Sequence, residues 1–138
     1  MRPDYVSIVR STWSLAKPHA LSIGLHFYER LFELDPSLRP IFPSDLDAQV
    51  AKLMQTLGVA VGAIDRLETL TPALDALGRR HVAYGVSDHH YDVVGRALLD
   101  TLASTFGSAF TADVRAAWTE TYLTITNVMR RAAYAAAA

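Results

Sequence analysis

Apolar residues recur every three or four positions along most of this chain, and no sustained two-residue alternation of apolar and polar positions replaces them. That periodicity predicts helices and no sheet. The rows can be followed one by one. Leu21, Gly24, Leu25, Tyr28 and Phe32 line one side of a segment over residues 19 to 33. Gln49, Leu53, Leu57 and Ile64 form a later row beside Gly58 and Gly62, and Leu70, Leu74, Leu77 and His81 form the next. Two final rows are Tyr91, Val94, Leu98, Leu102 and Phe106, then Trp118, Tyr122, Ile125 and Met129. The punctuation between them is readable. Pro18 separates segments near residues 4 to 16 and 19 to 33, and Asp35-Pro36 reads as an N-cap with proline in the first turn. Thr71-Pro72 repeats that signal, Ser87 or Asp88 caps the next segment, and Thr111 the last. The expectation is an all-α chain of about six helices with a short helical turn near residues 36 to 42, a loop at 43 to 47, and one domain over residues 1 to 138.

Composition narrows what such a bundle does. Thirteen Lys and Arg against fourteen Asp and Glu leave a net charge of −1, with no basic cluster of the kind that reads phosphate backbones, which excludes nucleic acid as a partner. No uncharged stretch is longer than that at residues 53 to 64, which falls well short of the ~20 apolar residues a membrane span demands. Asp4 and Arg10 interrupt the N-terminal segment and no apolar run stands there, so no secretory signal is expected and a cytoplasmic location is. The chain has no cysteine, which excludes disulfide scaffolds, Cys-ligated zinc, iron–sulfur clusters and thiolate-bound haem.

Three of the apolar rows carry a polar group, Tyr28, Gln49 and His81, and a buried polar group without a partner costs about 1–3 kcal/mol. His81 is the sharpest of them. An imidazole one turn after Leu77 can direct one nitrogen into the core while the other donates to the Leu77 carbonyl, the arrangement an axial haem ligand requires. The alternative is a satisfied core or helix-end histidine. Tyr28 and Gln49 are a poor choice for a dry core unless they share a ligand, and Gly24 would let their helices cross closely. Here the alternative is a phenol reaching solvent and a surface glutamine. His89 and His90 are neighbours in sequence, read as pointing apart on a solvated turn, with no carboxylate at zinc-motif spacing. Gly58 and Gly62 mark close packing. No nucleophile arrangement or dinucleotide fingerprint is present, which removes hydrolases and nucleotide enzymes.

In their order along the chain these features resemble the globins over essentially its whole length, and above all bacterial single-domain haemoglobins of the flavohaemoglobin lineage. Four motifs carry the likeness: His26-Phe27-Tyr28-Glu29-Arg30-Leu31-Phe32, Arg39-Pro40-Ile41-Phe42, Gln49 with Leu53 one turn later, and Leu77-Gly78-Arg79-Arg80-His81 followed by Tyr84-Gly85-Val86 and His90-Tyr91. The resemblance implies a globin fold, three helices over three, around non-covalent haem b, in keeping with the absence of a Cys-x-x-Cys-His sequence. It makes His81 the iron ligand, Phe42 the ring packed on the porphyrin, Leu53 the apolar residue over the iron, and Leu77, Tyr91 and Val94 further haem contacts. Tyr28 and Gln49 become the distal pair that steadies bound O2.

Departures from the family pattern matter as well. Gln49 stands where many globins have a histidine, so bis-histidine ligation from that position is excluded, leaving Tyr28, Gln49 or the neighbouring Lys52 as internal sixth ligands. Ala133 stands where flavohaemoglobins keep a glutamate behind the proximal histidine, although Tyr91 of that network is retained. No flavin or nicotinamide domain follows, so a catalytic cycle would draw electrons from an external reductase. The resemblance thus implies reversible O2 binding, storage or transport, with CO, NO or sulfide as other ligands, or NO dioxygenation. A haem-free sensing module is disfavoured by His81, Phe42 and Tyr28 occurring together. A monomer or weak homodimer is expected, and residues 135 to 138 read as a frayed helix end.

Overall fold

The computed structural model describes residues 2–134, and among them every regular element is helical. The alanine run at 135 to 138 lies outside the described residues. Six α-helices follow in order: α1 (Pro3–Ala16), α2 (Ala20–Leu34), α3 (Leu46–Gly62), α4 (Thr71–Ala83), α5 (Asp88–Phe106) and α6 (Ala112–Tyr134). Short 3₁₀ segments join them at Lys17–His19, Pro36–Ile41, Ile64–Leu70 and Gly107–Ala109.

The local signals explain most of these boundaries. The Asp35 carboxylate accepts from the Ser37 N–H at 3.1 Å and so starts the 3₁₀ turn that Pro36 enters. Asp45 does the same for Asp47 at 3.0 Å, which closes the loop and begins α3. Ser87 caps α5 in a box in which the residue three positions on, His90, accepts from the Ser87 N–H.

Helix α3 begins at Leu46, inside the loop expected at 43 to 47, and two other boundaries also differ from the sequence reading. Helix α3 stops at Gly62 and does not continue to Ile64, because Arg10 from α1 donates to the Gly62 carbonyl at 3.1 Å and to Asp65 at 3.0 Å, bringing a cation to the negative end of the helix. Thr71 is no cap. Leu70 ahead of it already has helical backbone angles, φ −91° and ψ −2°, so the chain passes from the 3₁₀ segment into α4 without an extended residue.

The helices form two layers, with α1, α3 and α4 laid over α2, α5 and α6. Helix α4 rests on α6, α2 crosses both α5 and α3, and α1 lies on α6, where the Trp118 indole donates to Thr12 Oγ1 at 2.8 Å. The main core gathers Val9, Phe27, Tyr28, Leu31, Val50, Ile64, Ala97 and Trp118. A separate cluster of Leu74, Tyr91 and Met129, with Leu77 against it, lies under α4. Leu21, which heads the α2 row in sequence, is 53% exposed, since the row leaves the core in the first turn. No helix among the described residues is long and apolar enough to cross a membrane.

Candidate functional site

Helix α4 ends in a left-handed glycine, Gly85 at φ 90°, with Val86 N–H returning to the His81 carbonyl at 3.0 Å and Gly85 N–H to that of Val82 at 3.0 Å. His81 thus sits in the last turn, at a point the chain fixes twice. Its ring is fixed as well. His81 Nδ1 lies 2.7 Å from the Leu77 carbonyl oxygen, which can only accept, so the imidazole proton is on Nδ1 and Nε2 keeps its lone pair. Burial lowers the His81 pKa, Arg80 pushes the same way and the Leu77 bond opposes them, so the ring is neutral near pH 7. The rings of Tyr84 and Tyr91 stand 5.9 and 6.4 Å away, centroid to centroid.

The rotation of α4 is set from behind by Gly78, where an added Cβ would strike the backbone of Met129 on α6. Leu74 is thereby pressed into the lower cluster, and His81, two turns further on, is left half-buried. Under it, Tyr91 is 4% exposed and its hydroxyl is buried without a hydrogen-bond partner. The Arg130 guanidinium lies 5.0 Å over the Tyr91 ring and pairs with Asp92 at 2.7 Å, while the Tyr122 hydroxyl donates to the Tyr91 carbonyl. Periodicity places Tyr122 in the last apolar row but does not single out Gly78 or Arg130; only a glycine inside the His81 motif hints at the first.

A second group lies in the main core. Tyr28 on α2 is 2% exposed, with Phe27, Phe32 and Phe42 around it at centroid distances of 5.0, 6.1 and 5.3 Å. Burial raises its pKa, and a side-chain hydrogen bond with Gln49 of α3 pulls the other way. Gly24, one turn before Tyr28, brings the two helices together, since a Cβ there would collide with the Val50 side chain. Leu53, Phe42 and Val94 are half-buried and pack on the main core, and Lys52 is exposed.

The eight residues singled out in the sequence therefore fall into two groups. Tyr28, Gln49, Phe42, Leu53 and Val94 belong with the main core, while His81, Leu77 and Tyr91 belong with the lower cluster. Helices α3 and α4, which carry Gln49 with Leu53 and Leu77 with His81, are not packed on each other. One of these helices carries a neutral imidazole and the other an amide beside a buried phenol, each set among half-buried apolar side chains. The donor set fits haem: one nitrogen lone pair for iron, apolar walls for a porphyrin face, and an orphaned Tyr91 hydroxyl beneath.

The reading of His89 and His90 requires correction. Their rings lie 4.3 Å apart, both turned toward Asp35, and His90 is buried. Neighbouring helical residues diverge by about 100°, but in this first turn Ser87 brings the two rings together, its hydroxyl 2.9 Å from His89 Nδ1 and its N–H donating to His90 Nδ1 at 2.9 Å, while His89 stays exposed as a solvated turn requires. Ligand-type atoms of Asp35, His89 and His90 approach within 4.8 Å. Because His90 Nδ1 accepts from the backbone, its single proton stands on Nε2 on the side of Asp35, which favours a neutral helix-capping cluster over a metal centre.

Against known proteins, the Globin family profile matches residues 25–129. A neuroglobin of Danio rerio is 33% identical over 138 residues, covering 90% of this chain and 87% of that protein. A flavohemoprotein of Vibrio cholerae is 30% identical over 128 residues, covering 91% of this chain and 32% of that protein, so the chain spans about a third of such relatives. Among solved structures, a bacterial globin from Campylobacter jejuni superposes with a TM-score of 0.86 over 99% of both chains at 20% identity, a likeness of fold.

Proposed function

This chain belongs to the globin family, and we propose that it is a haem b protein that binds O2 reversibly, with His81 as iron ligand and Tyr28 and Gln49 as the polar wall of the ligand pocket. The observation that carries the reading is the His81–Leu77 bond at 2.7 Å, which leaves a neutral imidazole with Nε2 free to ligate. Haem, when bound, supplies the iron at which a diatomic gas is held and released. Phe42, Leu53, Leu77 and Val94 offer apolar contact to the macrocycle and exclude water, and the Tyr91 hydroxyl offers a proton from below.

The opposite wall selects among ligands. Burial keeps Tyr28 protonated through the physiological range, so its hydroxyl is a donor. In this reading the Gln49 amide N–H faces the phenolic oxygen, so that the Tyr28 proton is left for a polar ligand in the pocket. Dioxygen, which draws electron density when bound, gains from that donor, and CO gains less. Absorption spectra of the purified protein, ferric and dithionite-reduced, with and without CO, test this reading. A Soret band that shifts on reduction and again with CO supports it, and a purified protein that takes up no haem overturns it.

A second reading, NO dioxygenation with an external reductase, is favoured by the likeness to flavohemoproteins. It is weakened at His81, whose Nδ1 bonds a carbonyl where a carboxylate would strengthen its donation to iron. Sustained NO consumption with NADH and a generic reductase would support it, and a single stoichiometric burst leaves O2 binding as the function.

A further inference from the structure

The end of α4 and the turn after it carry a run of exposed side chains, Arg79, Arg80, Val82, Ala83 and Tyr84, within which His81 alone is drawn halfway into the fold. Neither guanidinium of this run makes an ion pair or a hydrogen bond among the described residues, whereas those of Arg10, Arg30, Arg66 and Arg130 each pair with a carboxylate. The acidic residues nearest in sequence do not reach them. Asp75, one turn before Arg79, makes no pair with it, and Asp88, past the turn, lies 3.4 Å from Arg130. The apolar members are uncovered as well. Val82 stands one turn after Gly78, on the side of α4 that packs on α6, yet it is 43% exposed, and Tyr84 is 57% exposed. Exposed apolar side chains are ordinary when scattered singly, but arginine and tyrosine gathered around a small apolar centre have the make-up of an interface. The face also ends against the candidate site, because the Tyr84 ring stands 5.9 Å from that of His81, centroid to centroid.

We propose that this face docks a small acidic electron-carrier protein, whose carboxylates meet Arg79 and Arg80 and whose apolar centre meets Val82 and Tyr84. Charge complementarity selects that occupant: two free cations side by side repel each other until an acidic surface neutralises both. A second copy of this chain is a poor occupant, since a two-fold interface through the same patch would set four guanidiniums against one another. Complexes between redox proteins are small and short-lived, so a face of a few side chains suffices. The exchange it would serve is of one electron: the flavin or iron–sulfur group of the carrier is oxidised by one electron, ferric iron held by His81 becomes ferrous, and no bond is made or broken. That redox role rests on the proposed function; the docking surface does not.

Two measurements separate the two claims. Amide NMR of the purified protein titrated with a flavodoxin, an acidic one-electron carrier, reads docking without reference to iron. Saturating shifts centred on residues 79 to 85, abolished by about 0.5 M salt and by the double variant Arg79→Glu/Arg80→Glu, support the proposal. Shifts that are absent, that survive the charge reversal, or that are lost equally in Arg2→Glu on α1 overturn it. Arg79 and Arg80 are exposed, and Val82→Asp, which keeps both cations and spoils the apolar centre, should also weaken the shifts and keeps the test decisive if the double variant fails to fold. With haem-loaded protein, the rate at which reduced flavodoxin converts the ferric spectrum to the ferrous one reads the electron link. It should fall at least about tenfold in the double variant, with reduction by dithionite unchanged, and equal rates overturn that link. A double variant that loses its Soret band would assign the two guanidiniums to holding haem and overturn the docking surface. A parent protein that binds no haem would sink the proposed function while the titration still decides docking.

Discussion

His81 Nδ1 and the carbonyl oxygen of Leu77, one turn apart on α4, are 2.7 Å from each other, and this one contact sets the tautomer of the imidazole. A ring held in that way presents Nε2 with no torsional choice left to make, so the helix itself orients the ligand. His81→Ala should abolish the Soret band of protein purified with haem. His81→Gly, which leaves room for a free ring, should regain a band when imidazole is added. An unchanged spectrum in His81→Ala would show that iron is held from elsewhere.

Tyr28 gives the next prediction. A hydrogen bond to a charged or strongly polarised group contributes about 1.5–3 kcal/mol, roughly a 10- to 150-fold change in a dissociation rate. Tyr28→Phe keeps the ring among Phe27, Phe32 and Phe42 and removes only the hydroxyl. The O2 dissociation rate, measured by stopped-flow displacement with CO, should rise at least about tenfold, while CO dissociation changes much less. Gln49→Leu, which leaves the phenol in place without its amide neighbour, should raise the O2 rate less than Tyr28→Phe. Equal effects of Tyr28→Phe on both gases would remove Tyr28 from the role of donor.

Helix count, the turn at Asp35-Pro36, the Ser87 cap and the apolar rows were legible because each rests on residues close in sequence. What escaped depends on contacts between distant segments. Helix α3 ends at Gly62 because Arg10, fifty-two positions earlier, reaches its carbonyl. Leu21 has the spacing of a core residue but stands in a turn with nothing packed over it. His89 and His90 converge on Asp35 through Ser87 and the end of α2, which no helical wheel shows. At the candidate site the side chains that carry polar chemistry stood out as exceptions to an apolar row. Gly78, which leaves room for the Met129 backbone, and Arg130, which covers the Tyr91 ring, gave no comparable signal.

Two glycines of like environment should respond differently to the same test. A Cβ at Gly24 meets only the side chain of Val50, whereas a Cβ at Gly78 meets the backbone of Met129. Forcing extra atoms into a packed contact costs about 1–3 kcal/mol, more than the ~0.5–1 kcal/mol that alanine gains over glycine within a helix. Gly24→Ala should therefore lower the urea midpoint, and adding Val50→Ala should recover most of that loss in a double-mutant cycle. Gly78→Ala should lower it too, with no side-chain substitution at Met129 able to recover it, because the obstructing atoms are main chain. A coupling of zero between Gly24→Ala and Val50→Ala would show that the helices shift apart on their own.

The His90 cap makes stability depend on pH in a definite direction. Burial holds the His90 pKa below its ordinary 6.5, His89 adds to the shift and Asp35 opposes it. The ordinary value applies to the unfolded chain, so as pH falls below 6.5 the unfolded state takes up a proton that the folded state resists, and stability is lost from there down through the folded pKa. Geometry points the same way: protonation at Nδ1 would displace the Ser87 N–H that α5 relies on for its first turn. Thermal melts between about pH 8 and pH 5 should show a flat region above 6.5 and a fall below it. His90→Gln retains an acceptor three residues after Ser87, where glutamine completes a capping box, but has nothing to titrate. Its melting temperature should therefore follow the parent's above pH 6.5 and fall less steeply below, with the remaining slope owed in part to His81, whose pKa is lowered in the same sense. Parallel curves for parent and variant would show that the buried ring takes up its proton without leaving the cap.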